Sequence, residues 1–221
     1  MIKLAIFDLD GTLINSIEDL ADSTNFALEQ FGFPTHSLDK FNFFIGDGMR
    51  KLIERALPED KRSCQLITSV LDVFLEHYRK HFLDKTYIYD GILKVLGTLK
   101  ESGIMLAVVS NKAQEMADKI AEELFSGIFD IFYGKQDDFP AKPDAALTLK
   151  AIGELGAKPS ECVFIGDSGM DAATAVNAGA IGIGVLWGYR GKEELLSNGA
   201  KYIAEVPDDI LEITKAINNE I

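Results

Sequence analysis

Leu4-Ala5-Ile6-Phe7-Asp8-Leu9-Asp10-Gly11-Thr12-Leu13 decides how this chain is read. Residues 2–9 are apolar enough for a strand buried on both faces, the signature of a parallel sheet. The strand runs into two acids, Asp8 and Asp10, two positions apart, so both point the same way if the strand continues. Gly11 lets the chain turn sharply, and the N–H groups around Leu9, Gly11 and Thr12 can then line an anion nest. A lone buried strand leaves its backbone unpaired, so its partners must come from elsewhere in the chain.

They come from beyond Asp90-Gly91, where short apolar runs alternate with helical patterns. Strands are expected at 104–109, 128–132, 162–166, 181–187 and 201–203, and helices at about 113–125, 144–155, 170–178 and from about 208. That alternation predicts an α/β fold, a doubly wound, Rossmann-like parallel sheet with helices on both faces. The intervening stretch has another character. Ser16 and Asp19 form a capping-box-like start, and Leu20, Ala21, Thr24, Ala27, Leu28 and Phe31 follow at helical spacing until Gly32 and Pro34. An apolar run over 41–48 ends in a glycine turn, and Pro58 stops a helix over 49–57. A longer helix over about 60–84 carries Ile67, Leu71, Phe74, Tyr78 and Phe82 on one stripe. The expected organisation is a core domain of residues 1–15 and 85–221 with an all-helical cap domain, 16–84, inserted into it.

The 221 residues include 22 Lys and Arg against 35 Asp and Glu, a net charge of −13, and 47% are hydrophobic. This much apolar surface can offset chain entropy, which excludes disorder as the dominant state. A pI near 4.6 sets nucleic acid and anionic membrane aside as main partners, but not a small phosphorylated metabolite held by locally placed cations. The apolar stretch after Met1 is too short for a signal or a membrane span. Cys64 and Cys162 are far apart and form no CxxC, and Cys162 opens a buried apolar run, so a reducing cytoplasm is the expected location.

Ligands of an open parallel sheet bind beyond the carboxyl ends of its strands. Those ends offer Asp8 and Asp10, Ser110-Asn111-Lys112, and Gly166-Asp167-Ser168-Gly169-Met170-Asp171, while the loop before the helix at 144 adds Lys142-Pro143. Asp8, Asp10, Asp167 and Asp171 bring four negative charges to one edge against a single Lys142. Each close pair of like charges costs several kcal/mol, about 4 at 4 Å and an effective dielectric near 20. A divalent cation relieves this, and all-oxygen ligands select Mg²⁺. Asp167 and Asp171, at i and i+4, are expected on one helical face. Ser110 or Asn111 is an alternative N-cap for the helix that follows. His77 and His81 share a helix face like a zinc pair, but with no evident third ligand they read as a partly exposed pair. Gly182, Gly184 and Gly188 have the wrong spacing for a dinucleotide turn.

Asp8-Leu9-Asp10-Gly11-Thr12-Leu13, Ser110-Asn111, Lys142-Pro143 and Gly166-Asp167…Asp171 resemble, in order, the four motifs of the haloacid dehalogenase-like hydrolase superfamily. The cap size and the turn Gly46-Asp47-Gly48 resemble its phosphoglycolate phosphatase-like branch. The resemblance implies a Mg²⁺-dependent phosphomonoester hydrolase, with 2-phosphoglycolate as leading substrate. It makes Asp8 the nucleophile that becomes an aspartyl-phosphate and Asp10 the general acid and then base. Asp8, the Asp10 carbonyl and Asp167 would hold Mg²⁺, with Asp171 orienting Lys142 or a metal water. Ser110, the Asn111 N–H and Lys142 would hold the phosphoryl oxygens, and Gly11 and Thr12 line the phosphate. Gly46-Asp47-Gly48-Met49-Arg50 reads either as a plain loop before a helix or as a cap loop reaching into the site, with Gly46 and Arg50 then serving substrate and Arg50 near a substrate carboxylate. The rival functions are a sugar-phosphate mutase, a pyrophosphatase of the same architecture, and a receiver-like phosphate-binding module without turnover. The chain is expected to act as a monomer or homodimer.

Overall fold

In the computed structural model, which describes residues 1–46 and 48–220, strand β1 (Leu4–Phe7) is wholly buried. It lies between two parallel neighbours, β4 (Met105–Ala113) and β6 (Cys162–Gly166). Further strands extend the sheet on both sides: β5 (Ile131–Lys135) beyond β4, then β7 (Ile181–Val185) and β8 (Tyr202–Ala204) beyond β6. The order is β5-β4-β1-β6-β7-β8, all parallel. The chain builds outward from β1 on one side and then crosses to the other, so β1 marks the switch point of the winding. Alternate residues serve opposite faces. Leu4 and Ile6 join Ala107, Val109 and Phe164 beneath α7 (Ala146–Glu154) and α8 (Gly169–Ala178). Phe7 packs edge-on against Phe129 at 6.2 Å. Helices α5 (Ile92–Glu101), α6 (Gln114–Phe125), α9 (Lys192–Ser197) and α10 (Asp209–Glu220) complete this unit, which comprises Met1–Leu13 and Ile88–Ile221.

The second compact unit is Ile14–Tyr87. Its helices are α1 (Ile17–Gln30), α2 (Leu38–Phe44), α3 (Met49–Ala56) and α4 (Cys64–His81). Two-residue strands β2 (Ile14–Asn15) and β3 (Tyr87–Ile88) pair where the chain leaves and returns. Its centre is Leu28, Phe41, Ile53, Val70, Phe74 and Tyr78, all buried, with Phe74 stacked on Tyr78. On α4 the buried stripe is Ile67, Val70, Phe74 and Tyr78, with Val70 in the place expected of Leu71. His77 and His81 stack at 4.3 Å, His77 against the Ser23 hydroxyl and His81 against Asp84.

Several expectations need correction. Ser16 makes no side-chain cap for α1; the Asn15 side chain accepts from the Ile17 N–H instead. Asp19 is turned away, accepting the N–H groups of Lys85 and Thr86 and the Thr86 hydroxyl. A buried carboxylate gains more from several donors than from one cap bond. Ile92–Glu101, to which no element is assigned from sequence, forms α5, and α2 (Leu38–Phe44) takes up the first part of the expected apolar run 41–48. Strand β4 continues to Ala113 instead of ending at 109, with a register shift that lets Ala113 pair with Lys135.

Candidate active site

The carboxyl ends of β1, β4 and β6 carry the polar groups, and each has a local reason for its position. The Asp8 N–H is tied to the Ile165 carbonyl of β6, fixing the end of β1 beside the end of β6. The extended β4 carries Ser110, Asn111 and Lys112 on a strand rather than on a loop, and neither Ser110 nor Asn111 caps α6, whose N-cap is Ala113. The Asn111 side chain instead clamps the backbone of Lys142, accepting its N–H at 2.8 Å and donating to its carbonyl at 3.4 Å. Lys142 is thereby delivered into the site, and its peptide bond to Pro143 is cis. After β6, Ser168 caps α8 in a reciprocal box with Asp171. Asp167 precedes that cap, so Asp167 and Asp171 meet from strand end and first turn, not along one helical face.

Asp8, Asp167 and Asp171 converge, with one carboxylate oxygen from each lying within 4.8 Å of the others. Lys142 Nζ stands 2.7 Å from Asp8 and 2.6 Å from Asp171. All four are nearly buried, none more than 9% exposed. Burial first, and the Asp171 charge second, push the Asp8 carboxyl up to about 6 against the pull of Lys142. Burial, Asp171 and Asp8 raise Asp167 well above the ordinary range. Burial disfavours the Lys142 ammonium, but Asp171 and Asp8 outweigh it and hold the group charged.

Asp10 is turned to Lys112, whose Nζ lies 3.0 and 3.1 Å from its two oxygens. The sequence places Lys112 at this strand end but gives it no role, since Lys142 alone counts there as the cation of the site. With it, four carboxylates face two ammonium groups, and once all four are ionised a divalent cation makes up the deficit of positive charge. Asp8 Oδ1 is buried and out of line for a hydrogen bond with Lys142, which leaves it a lone pair to offer. Both Asp171 oxygens are engaged, one by Lys142 and the other by Ser168. These residues therefore fit an all-oxygen Mg²⁺ site, with Asp171 orienting the lysine.

Gly11 has φ +87°, and a Cβ there would fall 2.4–2.8 Å from the Asp167 carboxylate. The Thr12 N–H is spent on the Leu9 carbonyl and so is not part of an anion nest; its hydroxyl donates to Asp167. A second omission is the loop after β7. The Tyr189 N–H donates to Asp167 at 2.8 Å, and the Trp187 indole N–H to the Thr12 carbonyl. The expected strand 181–187 places Trp187 at a carboxyl end, which was the available signal. Gly46 and Arg50 belong to the second unit, where Arg50 donates to Thr68 and Cys64; Asp47 lies outside the described residues.

An acid cluster with a buried lysine, set at the switch point of a doubly wound parallel sheet, defines an α/β protein with an acidic, lysine-bearing site at its strand ends. The family model for haloacid dehalogenase-like hydrolases matches residues 5–185, and the chain belongs to that family. It is 34% identical to the phosphoglycolate phosphatase of Chromobacterium violaceum, over 85% of this chain and 86% of that one. Identity to the phosphoglycolate phosphatase of Aquifex aeolicus is 32%, over 99% and 98%. Among solved structures, a chain from Lactobacillus delbrueckii subsp. bulgaricus, described as an inferred phosphoglycolate phosphatase, superposes with a TM-score of 0.92 at 32% identity, covering 96% and 98%. No helix among the described residues is long and apolar enough to cross a membrane.

Proposed function

We propose that this protein is a Mg²⁺-dependent phosphoglycolate phosphatase of the cytoplasm, acting on a small phosphorylated acid. The observation that carries the reading is the meeting of Asp8, Lys142 and Asp167 around one carboxylate cluster in a chain similar over nearly its whole length to phosphatases of that name.

The Asp8 carboxylate attacks phosphorus; the new Oδ–P bond forms as the ester P–O bond breaks. Asp10 gives its proton to the departing oxygen, then takes one from the water that hydrolyses the aspartyl-phosphate. Lys142, fixed by Asp171 and by the Asn111 clamp on its backbone, holds the phosphoryl oxygens with Ser110 and the Asn111 N–H. Asp8, Asp167 and the Asp10 carbonyl would hold Mg²⁺, which when bound would supply positive charge to the same oxygens.

The test is phosphate release from 2-phosphoglycolate and a panel of other phosphate esters, with Mg²⁺ and with chelator. Release led by 2-phosphoglycolate and abolished by chelator or by Asp8→Asn supports the reading. No phosphate from any ester overturns it, as would isomerised sugar phosphate or a preference for pyrophosphate.

A further inference from the structure

The residue that the proposed chemistry leaves unused is Lys112. Its side chain is only 1% exposed, and the Asp10 side chain it meets is 18% exposed. Burying an ammonium is costly, and a buried ion pair is seldom more stable than the apolar side chains that would replace it. Lys112 is the penultimate residue of β4, and its side chain is buried where an apolar one would pack without that cost. The pair therefore calls for a reason other than stability. Its geometry supplies one. Both Asp10 oxygens are engaged at nearly equal distance by one nitrogen, which fixes the carboxylate in position and in plane. Lys112 arises from a strand hydrogen-bonded to β1, with Val108 opposite Phe7, so the anchor and the anchored group are referenced to the same sheet.

We propose that Lys112 is the positioning residue for Asp10, setting the direction in which that carboxyl group meets the leaving oxygen and the hydrolytic water. This rests on the acid–base reading of Asp10 above. Lys112 touches neither substrate nor metal in this role; it acts through Asp10. Loss of the anchor should then cost what misaligned proton transfer costs, and only where a proton must be moved.

The test compares the full-length wild type with Lys112→Met on two substrates. 2-Phosphoglycolate loses an alkoxide, which needs a proton; p-nitrophenyl phosphate loses a stabilised phenolate, which does not. The expected result is a fall of about 10–100-fold in kcat/KM on phosphoglycolate and less than about threefold on the aryl ester, since kcat/KM reports the step that expels the leaving group. Aspartyl-phosphate should accumulate with the aryl ester, because its hydrolysis still needs Asp10 as base. In an Asp10→Asn background, Lys112→Met should cost nothing more. Equal losses on both esters, a raised KM with unchanged kcat, or additivity with Asp10→Asn would overturn the proposal in favour of a structural lysine. Thermal unfolding monitors folding, and Lys112→Gln takes the place of the methionine variant should that one not fold. An inactive wild type would count against the phosphatase reading instead.

Discussion

Gly188 has no side chain with which to do chemistry, yet it is among the residues the site tolerates least. A Cβ at this position would lie 2.3 Å from the Asp167 Cβ and 2.4 Å from the Gly11 carbonyl. Gly188→Ala must therefore displace Asp167 or the loop that donates to it. Overpacking of this kind costs about 1–3 kcal/mol, and disturbing the support of a metal ligand typically costs ~10–100-fold in affinity or activity. The variant should need correspondingly more Mg²⁺ for half-maximal rate. Gly191→Ala, where a Cβ meets nothing, should behave as wild type in the same titration. Asp8 gives a second expectation, in pH. Its carboxyl is raised from 3.8 to about 6 on folding, so the metal-free protein gains stability from the protonated form below about pH 4 and loses it as pH rises through 6. Above 6 the ionised cluster carries its repulsion unrelieved, and a divalent cation removes it. The rise in Tm on adding Mg²⁺ should thus be larger at pH 8 than at pH 5; an equal or smaller rise at pH 8 would contradict the assignment. At this scale the meeting of Asp8, Lys142 and Asp167 was legible because each follows an apolar run or sits beside a proline, whereas Asp171 was placed by an i, i+4 spacing that the fold does not use. The roles of Lys112 and Gly188 were not, since one looks like an ordinary lysine and the other like any turn glycine until the strands are placed side by side.

Elements repeat the lesson with a different cause. Strand β1 was readable because burial on both faces leaves only apolar residues, and α8 because it belongs to the alternation of apolar strands and helical patterns that follows Gly91. Helix α5 was passed over although Ile92, Val95, Leu96 and Leu99 are buried at helical spacing; Gly91 before it offers no side-chain cap to announce a start. The true end of β4 depends on its pairing with β5, a long-range event that local pattern does not report. Helix α1 shows tertiary demand overriding a local motif, because Asp19 serves the returning chain at Lys85 and Thr86 instead of its own helix. That makes Asp19 a structural carboxylate at 2% exposure. Asp19→Ala leaves two part-buried backbone N–H groups without their acceptor, and each such unsatisfied donor costs up to about 1–3 kcal/mol. Urea unfolding should register a loss of roughly 2–4 kcal/mol. A variant within 0.5 kcal/mol of wild type, the range of ordinary surface changes, would deny Asp19 that role.

For the molecule as a whole, sign and distance of charge work against each other. The net charge of −13 repels an anionic phosphate ester from afar, while Lys142 attracts it within the site. Screening separates the two, because the Debye length falls from about 30 Å at 0.01 M salt to about 8 Å at 0.15 M. The distant charges are then largely hidden, whereas contacts of about 3 Å between a buried ammonium and a phosphoryl oxygen are hardly screened. Added salt should consequently help this enzyme, the reverse of a protein whose surface steers its anionic substrate inward. At fixed free Mg²⁺, kcat/KM for 2-phosphoglycolate should rise, about two- to threefold, as NaCl goes from 10 to 150 mM, with the change in KM rather than kcat. A steady fall over that range would mean that a positive local field extends well beyond Lys142 and dominates the approach. Stopped-flow binding of the anion to Asp8→Asn, which binds without turnover, would place the effect in the association rate.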